Sequence, residues 1–494
     1  MSRIGFDNDK YLEMQSARIL ERVDSFGGKL YLEFGGKLFD DYHASRVLPG
    51  FQPDSKLRML LKIKEKAEIV IAICAADIEK NKRRGDLGIT YDLDVMRLID
   101  TFRGLGLYVG SVVLTQFRNQ RAAVSFQNKL ETLGVKVYRH YPIENYPSDV
   151  QLIVSDDGFG KNDYIVTNRP VVVVTAPGPG SGKMATCLSQ LYHEHKRGVD
   201  AGYAKFETFP IWNIPLKHPV NLAYEAATAD LSDVNMIDPF HLAAYGETTV
   251  NYNRDIEIFP VLSAMFEKIY GECRYKSPTD MGVNMAGNCI VDDDACCEAS
   301  SQEIIRRWYT SKVGYIKGTA EASEVQKQDV LMNELNLTQN DRPPVKPAMD
   351  LETETGEPAA AICLTDGTII TGKTKALMGS SSAAMLNALK YLAGIDDSTK
   401  LIASNIIEPI QDLKTNSLKS SNPLLHLDQV LIALSICAVT DETAKLALDQ
   451  LDKLKGAQVH SSVILSIEDE STFKKLGMDV TCEPKYQTEK LYHG

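Results

Sequence analysis

Val171-Val172-Val173-Val174 run into Pro177-Gly178-Pro179-Gly180-Ser181-Gly182-Lys183, and an apolar helical pattern begins at Met184. Consecutive β-branched residues favour an extended strand, and an unbroken apolar run suits a strand covered on both faces. A buried parallel strand that opens through glycines into a helix leaves several N–H groups unpaired and pointing the same way. The positive end of the helix dipole lies behind them. The predicted product is an anion cradle built from the amides of Gly178, Gly180, Ser181, Gly182 and Lys183, with the Lys183 ammonium as a mobile charge beside it.

The segment resembles the phosphate-binding loop of nucleotide hydrolases, G-x-x-x-x-G-K followed by Ser or Thr, and departs from it in two places. Pro177 stands where the first glycine belongs, with Gly178 displaced by one, and Met184 replaces the hydroxyl residue that ligates magnesium. A thioether is no substitute for a hard oxygen ligand. Thr186 lies two residues further on, roughly 200° around a helix, so it joins the binding loop without taking over the magnesium position. Phosphate binding is expected here, and ordinary Mg-ATP hydrolysis is not. The alternative is a tight turn joining a core strand to a core helix. Gly367-Thr368-Ile369-Ile370-Thr371-Gly372-Lys373-Thr374 fits the same pattern letter for letter. Its four middle residues are all β-branched and Thr365-Asp366-Gly367 reads as a turn, so a β-hairpin is expected, with its amides used up in the ladder.

The first half of the chain alternates apolar strands (30–34, 68–74, 107–114, 135–138, 149–154, 171–175, 202–206) with amphipathic helices (10–24, 54–66, 92–104, 120–133, 184–197). This pattern implies an α/β fold with a mainly parallel, doubly wound sheet, in which ligands sit at the carboxyl ends of strands. At 494 residues about three domains are expected: an α/β domain over 1–239 carrying the loop, a mainly helical subdomain over 240–336, a linker over 337–358, and a C-terminal three-layer α/β subdomain over 359–494. The last unit reads as the hairpin, a helix from 380 or 381 to 393, a strand at 401–404, helices at 424–439 and 441–454, a strand at 459–465 and a final helix at 469–476. Its hairpin-then-helix order resembles the cytidine-deaminase topology. The helix start, Gly379-Ser380-Ser381-Ser382-Ala383, has no His-x-Glu or Cys-x-Glu, and no Pro-Cys-x-x-Cys follows, so zinc deamination is excluded on ligand chemistry.

Composition is that of a globular chain, 44% apolar and 24% charged with a net charge of -12, which argues against nonspecific binding to nucleic acid or anionic membranes. The start lacks the apolar core of a secretory signal, and a cytoplasmic location is expected. The nine cysteines form no C-x-x-C pair, and no metal site is expected.

Lys205 and Glu207 end the strand that returns beside the loop, and are candidates to orient an acceptor. In order this region resembles, weakly, the dethiobiotin-synthetase group of phosphate-loop enzymes, which activate a carboxylate with ATP; Gly202-Tyr203-Ala204-Lys205 and Val234 to Phe240 carry the likeness. Other polar clusters supply candidate substrate residues: Lys37, Asp40 and His43 after a glycine turn; Arg84 as an anion clamp; Lys161 in a glycine-lysine turn; Asn213; and Asp280 with Asn284. Loops at strand ends of one sheet converge, so at least two of these clusters are expected to meet the phosphate loop.

The run from Leu32 to Phe51, the block Thr175 to Thr186 and the run Lys276 to Met285 together resemble a family of conserved bacterial proteins known only as a domain of unknown function. The resemblance spans nearly the whole chain and implies an α/β amino-terminal region, a helical insertion and a separate carboxyl-terminal subdomain, with no assigned reaction. The best reading of the residues is an enzyme that binds a nucleotide or other phosphorylated metabolite at 178–186, with Lys183, Lys205 and Glu207 as catalytic groups, and transfers a phosphoryl group to, or ligates, a small acid. The rivals are a non-catalytic phosphometabolite-binding or assembly protein, and a phosphatase or isomerase that works without ATP. The expected ligand is ATP or another phosphate-bearing molecule, with magnesium left open by Met184. For a metabolic α/β protein of this size a homo-oligomer is the base-rate expectation.

Overall fold

The computed structural model describes residues 3–35, 38–39, 41–84, 88–231 and 233–487. The chain packs as two compact units, one of Ile4–Glu225 and Asp233–Cys296, the other of Met1–Arg3, Ala226–Ser232 and Cys297–Gly494. Each has its own apolar core.

In the first unit the strands are β1 (Leu30–Phe34), β2 (Ala67–Cys74), β3 (Tyr108–Thr115), β4 (Lys136–Arg139), β5 (Val171–Thr175), β6 (Gly202–Phe206), the short antiparallel pair β7 (Asn235–Ile237) and β8 (Val250–Tyr252), and β9 (Gly282–Val283). Seven of them form one sheet in the order β4-β3-β2-β5-β1-β6-β9, and every pairing in it is parallel. β1, β2 and β5 are buried along their whole length, so both faces of the sheet are covered. The main helices are α1 (Asn8–Ser25), α2 (Ser55–Lys62), α3 (Tyr91–Gly104), α4 (Arg121–Thr132), α5 (Lys183–Lys196) and α6 (Asn253–Tyr270). β2 carries a fully buried acid, Glu68, whose carboxylate accepts the amides of Asn168 at 2.6 Å and Arg169 at 3.2 Å and so ties the turn before β5 to its neighbour strand. The strand expected at 149–154 is instead a helical turn, Val150–Ile153, because the Asp149 side chain caps it by accepting from the Leu152 amide at 3.0 Å.

The second unit is built on a four-stranded mixed sheet, β11-β10-β12-β13, of β10 (Ala359–Cys363), β11 (Ile369–Lys373), β12 (Gln458–Ser461) and β13 (Asp479–Cys482). β10 runs antiparallel to both neighbours and β12 parallel to β13. Its main helices are α7 (Asp293–Ile316), within which the boundary between the units falls, α8 (Ala322–Glu334), α9 (Val345–Thr355), α10 (Ser380–Ala393), α11 (Leu427–Cys437) and α12 (Ile467–Lys475). Residues 240–296 fall in the first unit and 297–336 in the second. The 337–358 stretch contains α9, which starts after Pro344 and ends at Gly356 in a left-handed turn. Leu401 and Ile402 are buried apolar residues of a bend leading into the helix Ser404–Asp412, not a strand.

The second G-x-x-x-x-G-K match is the hairpin its β-branched residues require. Ala360 pairs with Gly372 and Cys363 with Ile369 across β10 and β11. Gly372 is needed for packing, because a Cβ there would collide with the backbone of α10 at Ala384.

A buried histidine makes the first unit acid-sensitive. His140, at the end of β4, donates from Nε2 to the Asp163 carbonyl at 3.2 Å, and burial pushes its pKa down to about 3 from 6.5. Below pH 6.5 the unfolded chain takes up this proton before the folded one does. Stability therefore falls as pH drops from 6.5 toward 3, by roughly 1.4 kcal/mol per pH unit from this group alone. His140→Gln should flatten the decline in thermal midpoint between pH 6.5 and 4.5, measured by denaturation at each pH.

Candidate functional site

β5 lies between β2 and β1, and Ala176–Gly182 carry the chain from its end to α5. Gly180 and Gly182 hold φ of 75° and 84°, left-handed values that suit glycine. Three hydroxyls fix the turn. Thr115 at the end of β3 donates to the Ser181 carbonyl at 2.8 Å, Ser181 donates to the Gly178 carbonyl at 2.8 Å, and Thr186 donates to the Gly182 carbonyl at 2.9 Å. Each of these bonds consumes a carbonyl and leaves the amides alone. Among the described residues no acceptor is found for the amides of Gly178, Gly180, Ser181, Gly182 or Lys183. Pro179 and Gly180 are exposed and Gly178, Gly182 and Lys183 half-buried, whereas Ser181 is fully buried, so the turn opens to solvent around Gly180 and is closed over Ser181. Lys183 makes no ion pair among the described residues. Gly178 has no room for a side chain, since a Cβ there would strike the Tyr91 ring.

Two strands away, β6 carries a buried charge cluster. Glu33 of β1 and Lys205 of β6 are register partners, so their side chains lie on the same face of the sheet. Tyr203 donates to Glu33 at 2.7 Å. The Lys205 ammonium pairs with Glu207 at 2.7 Å and with Asp255 of α6. Burial works against this ammonium, but Asp255, Glu207 and Glu33 together outweigh it and hold the lysine well above its ordinary range. Glu207 is pushed up to about 7, by burial first, against the pull of Lys205 and with the push of Asp255. Glu33 also reaches toward the loop. The Cys187 thiol, one turn into α5, is raised by burial and then by Glu33, while Lys183 acts in the other sense.

The remaining sequence candidates are distributed unequally. His43 lies edge-on to Phe209 and Tyr224, at ring distances of 5.3 and 5.5 Å, and Tyr224 packs on Tyr252, beside Lys205. The rings of Tyr224 and Tyr252 thus stand between His43 and Lys205. Its neighbour Asp41 is a cap for the helix Tyr42–Val47 and pairs with Lys56 at 2.8 Å. Lys37 and Asp40 lie outside the described residues. Arg84 is bound to the buried Asp94 at 2.9 Å, on the segment that leads to Tyr91. Lys161 is not brought to the loop: it pairs with Asp157 at 3.2 Å on the surface, and its neighbour Asn162 donates to Ser189 halfway along α5. Asn213, Asp280 and Asn284 do come together, in a separate pocket of about 530 Å³ beside β9, with Trp212, His241 and Arg22. Sequence reading missed Glu33 as a member of the charge cluster and missed Asp255 altogether. The period-2 alternation of an acid at 33 and a lysine at 205 within otherwise apolar strands was the available signal for the first. Nothing local marks Asp255, which reads as an ordinary acidic residue in the first turn of a helix.

The first unit is thus an α/β protein with an all-parallel sheet, with amides lacking acceptors among the described residues at the carboxyl end of a central strand and a buried charge cluster two strands away. Residues 4–336 match the family described as Domain of unknown function DUF1846, N-terminal, and residues 340–492 match Domain of unknown function DUF1846, C-terminal. The chain belongs to this family. It is 59% identical over 493 residues to a UPF0371 protein of Corynebacterium diphtheriae, covering 100% of this chain and 99% of that one. It is 56% identical over 492 residues to a UPF0371 protein of Streptococcus pyogenes serotype M3, covering 100% of both. The family likeness of the Leu32–Phe51, Thr175–Thr186 and Lys276–Met285 motifs is thus borne out. No helix among the described residues is long and apolar enough to cross a membrane.

Removing Lys205 would strand Asp255 and Glu207 together in a buried site. Lys205→Met is expected to cost about 3–5 kcal/mol, the usual penalty for an orphaned buried charge. Since Glu207 titrates near 7, the loss in thermal midpoint should be smaller at pH 5.5, where it holds its proton, than at pH 8.

Proposed function

We propose that this protein is an enzyme that binds the phosphate of a small phosphorylated metabolite or nucleotide on the Gly178–Lys183 turn, with the Lys205 cluster on the reacting side. The observation that supports this most strongly is the set of amides at Gly178, Gly180, Gly182 and Lys183, on residues at least partly exposed, with no acceptor among the described residues and with Lys183, which makes no ion pair among them, alongside. Main-chain donors at a helix start, with the helix dipole behind them, favour an anion, and a phosphate presents enough oxygens to meet several donors at once. Binding does not require magnesium in this reading. Met184 offers no hydroxyl, and the Thr186 hydroxyl is turned back onto the Gly182 carbonyl.

Transfer of a phosphoryl group to a small acid, or its ligation, is the reading favoured by Glu207. A carboxyl held near 7 is suited to accept or donate a proton at neutral pH, and Lys205 beside it can neutralise developing negative charge. A homo-oligomer and a cytoplasmic setting remain part of the proposal.

Thermal-shift titrations with ATP, ADP, glycerol phosphate and inorganic phosphate, each with and without magnesium, test it. At least one phosphate compound should raise the midpoint without metal, and Lys183→Ala should remove most of that rise while leaving the unliganded midpoint nearly unchanged. Stabilisation that requires magnesium would shift the reading to nucleotide-dependent transfer. No response to any compound, or one indifferent to Lys183→Ala, would overturn phosphate binding at this turn.

A further inference from the structure

The pocket beside β9 carries buried hydrogen-bond donors that the protein does not use. The Trp212 indole Nε1 and the Arg22 guanidinium Nε both belong to residues lining it, both atoms are buried, and neither has an acceptor among the described residues. The other tryptophan of the chain, Trp308, shows the ordinary situation: its Nε1 donates to Asp329 at 2.7 Å. Arg22 spends Nη2 on the main-chain carbonyls of Asp280 and Gly282, at 2.6 and 3.5 Å, and makes no ion pair among the described residues. Buried donors in native proteins are nearly always satisfied. Burial of the half-buried Arg22, and then the like charge of Arg18 on the same wall, depress its pKa, against the opposing effect of Tyr275 and Asp280.

Several acceptors nearby are already engaged. Asp280 takes the Tyr245 hydroxyl and the Lys276 amide on one oxygen, both at 2.9 Å, and Glu21 is paired with Arg18 at 2.9 Å. Asn284 gives its amide to the carbonyls of Thr208 and Pro210 and takes the Ala286 amide. His241 uses Nδ1 toward the Ser277 hydroxyl at 3.0 Å. The pocket's volume of about 530 Å³ falls within the roughly 300–1,000 Å³ usual for small-molecule sites. The walls are apolar where Trp212, Met14 and Met285 contribute.

We propose that this pocket binds a small organic carboxylate, whose oxygens accept the unused N–H groups of Arg22 and Trp212 while its carbon skeleton lies on the Trp212 ring and the two methionines. One unpaired cation and one neutral donor match a singly charged carboxylate head. A phosphate would bring a second charge close to Asp280 and Glu21 and leave it uncompensated. The pocket is separated from the Gly178–Lys183 turn by β1 and β6, and the assignment stands whether or not that turn binds phosphate.

The chain has two tryptophans, so Trp308→Phe leaves Trp212 as the only indole reporter. In that background propionate, butyrate, succinate and 2-oxoglutarate are titrated at constant ionic strength, followed by indole emission and by calorimetry, with inorganic phosphate as the comparison anion and no phosphate ligand otherwise present. At least one acid should give a saturable response, and phosphate should give none. Arg22→Lys keeps the charge but loses the planar Nε–H and should weaken binding about tenfold or more. Trp212→Phe in the otherwise native chain, read by calorimetry, should weaken it several-fold with the thermal midpoint retained, and serves if Arg22→Lys fails to fold. Silence from all four acids, equal affinity in both variants, or a response to phosphate matching that to the acids would overturn the assignment.

Discussion

The turn after β5 has to take the chain from the middle of a sheet to the start of a covering helix in the seven residues Ala176–Gly182, and this geometric demand shapes everything around it. A strand in that position is closed in on both sides by β2 and β1, so its backbone is satisfied up to Thr175 and then abruptly is not. The helix that follows has its own unpaired amides by construction. Hydroxyls from Thr115, Ser181 and Thr186 hold the bend by taking carbonyls. The structure thus stabilises the turn without spending the donors, and solvent or a ligand must supply the acceptors.

The consequence on the next strands is electrostatic. Glu33, Glu207 and Asp255 surround one lysine, Lys205. Three carboxylates about one ammonium in a buried site cannot all ionise cheaply, and the proton is retained where burial is least compensated, at Glu207. Positive character thus gathers at the end of β5 and negative character at the end of β6, with Glu33 of β1 in between.

Much of this fold is legible in the sequence because the parallel sheet is written in unbroken apolar runs. Val171 to Val174 and the apolar stretch ending at Cys74 need no partner to be recognised. Failures occurred where a single side chain decides. Asp149 turns an apolar tetrapeptide into a capped helical turn, and Gly356 closes a helix in what reads as a polar linker. The unit boundary between Cys296 and Cys297 is invisible because it lies inside one continuous helix. At the site, glycines and lysine announced the loop, since main-chain chemistry is set by local residue types. The charge cluster was only half legible: Lys205 and Glu207 are neighbours in sequence, whereas Glu33 and Asp255 reach them only through strand register and helix packing.

The same distinction separates the two binding regions. At the loop, donors are orphaned by topology, and any sequence able to make that strand-turn-helix passage would expose them. In the β9 pocket the orphaned groups are side chains, Arg22 from α1 and Trp212 from the segment after β6, and the fold could have been built with apolar residues there at less cost. Gly282 is part of that construction, for a Cβ on it would run into the Trp212 ring. A protein that keeps a guanidinium Nε–H and an indole N–H without acceptors among the described residues around one cavity, and clears backbone space to admit the indole, carries an energetic penalty. A bound acceptor would offset it, which supports the proposed carboxylate site on grounds independent of the loop.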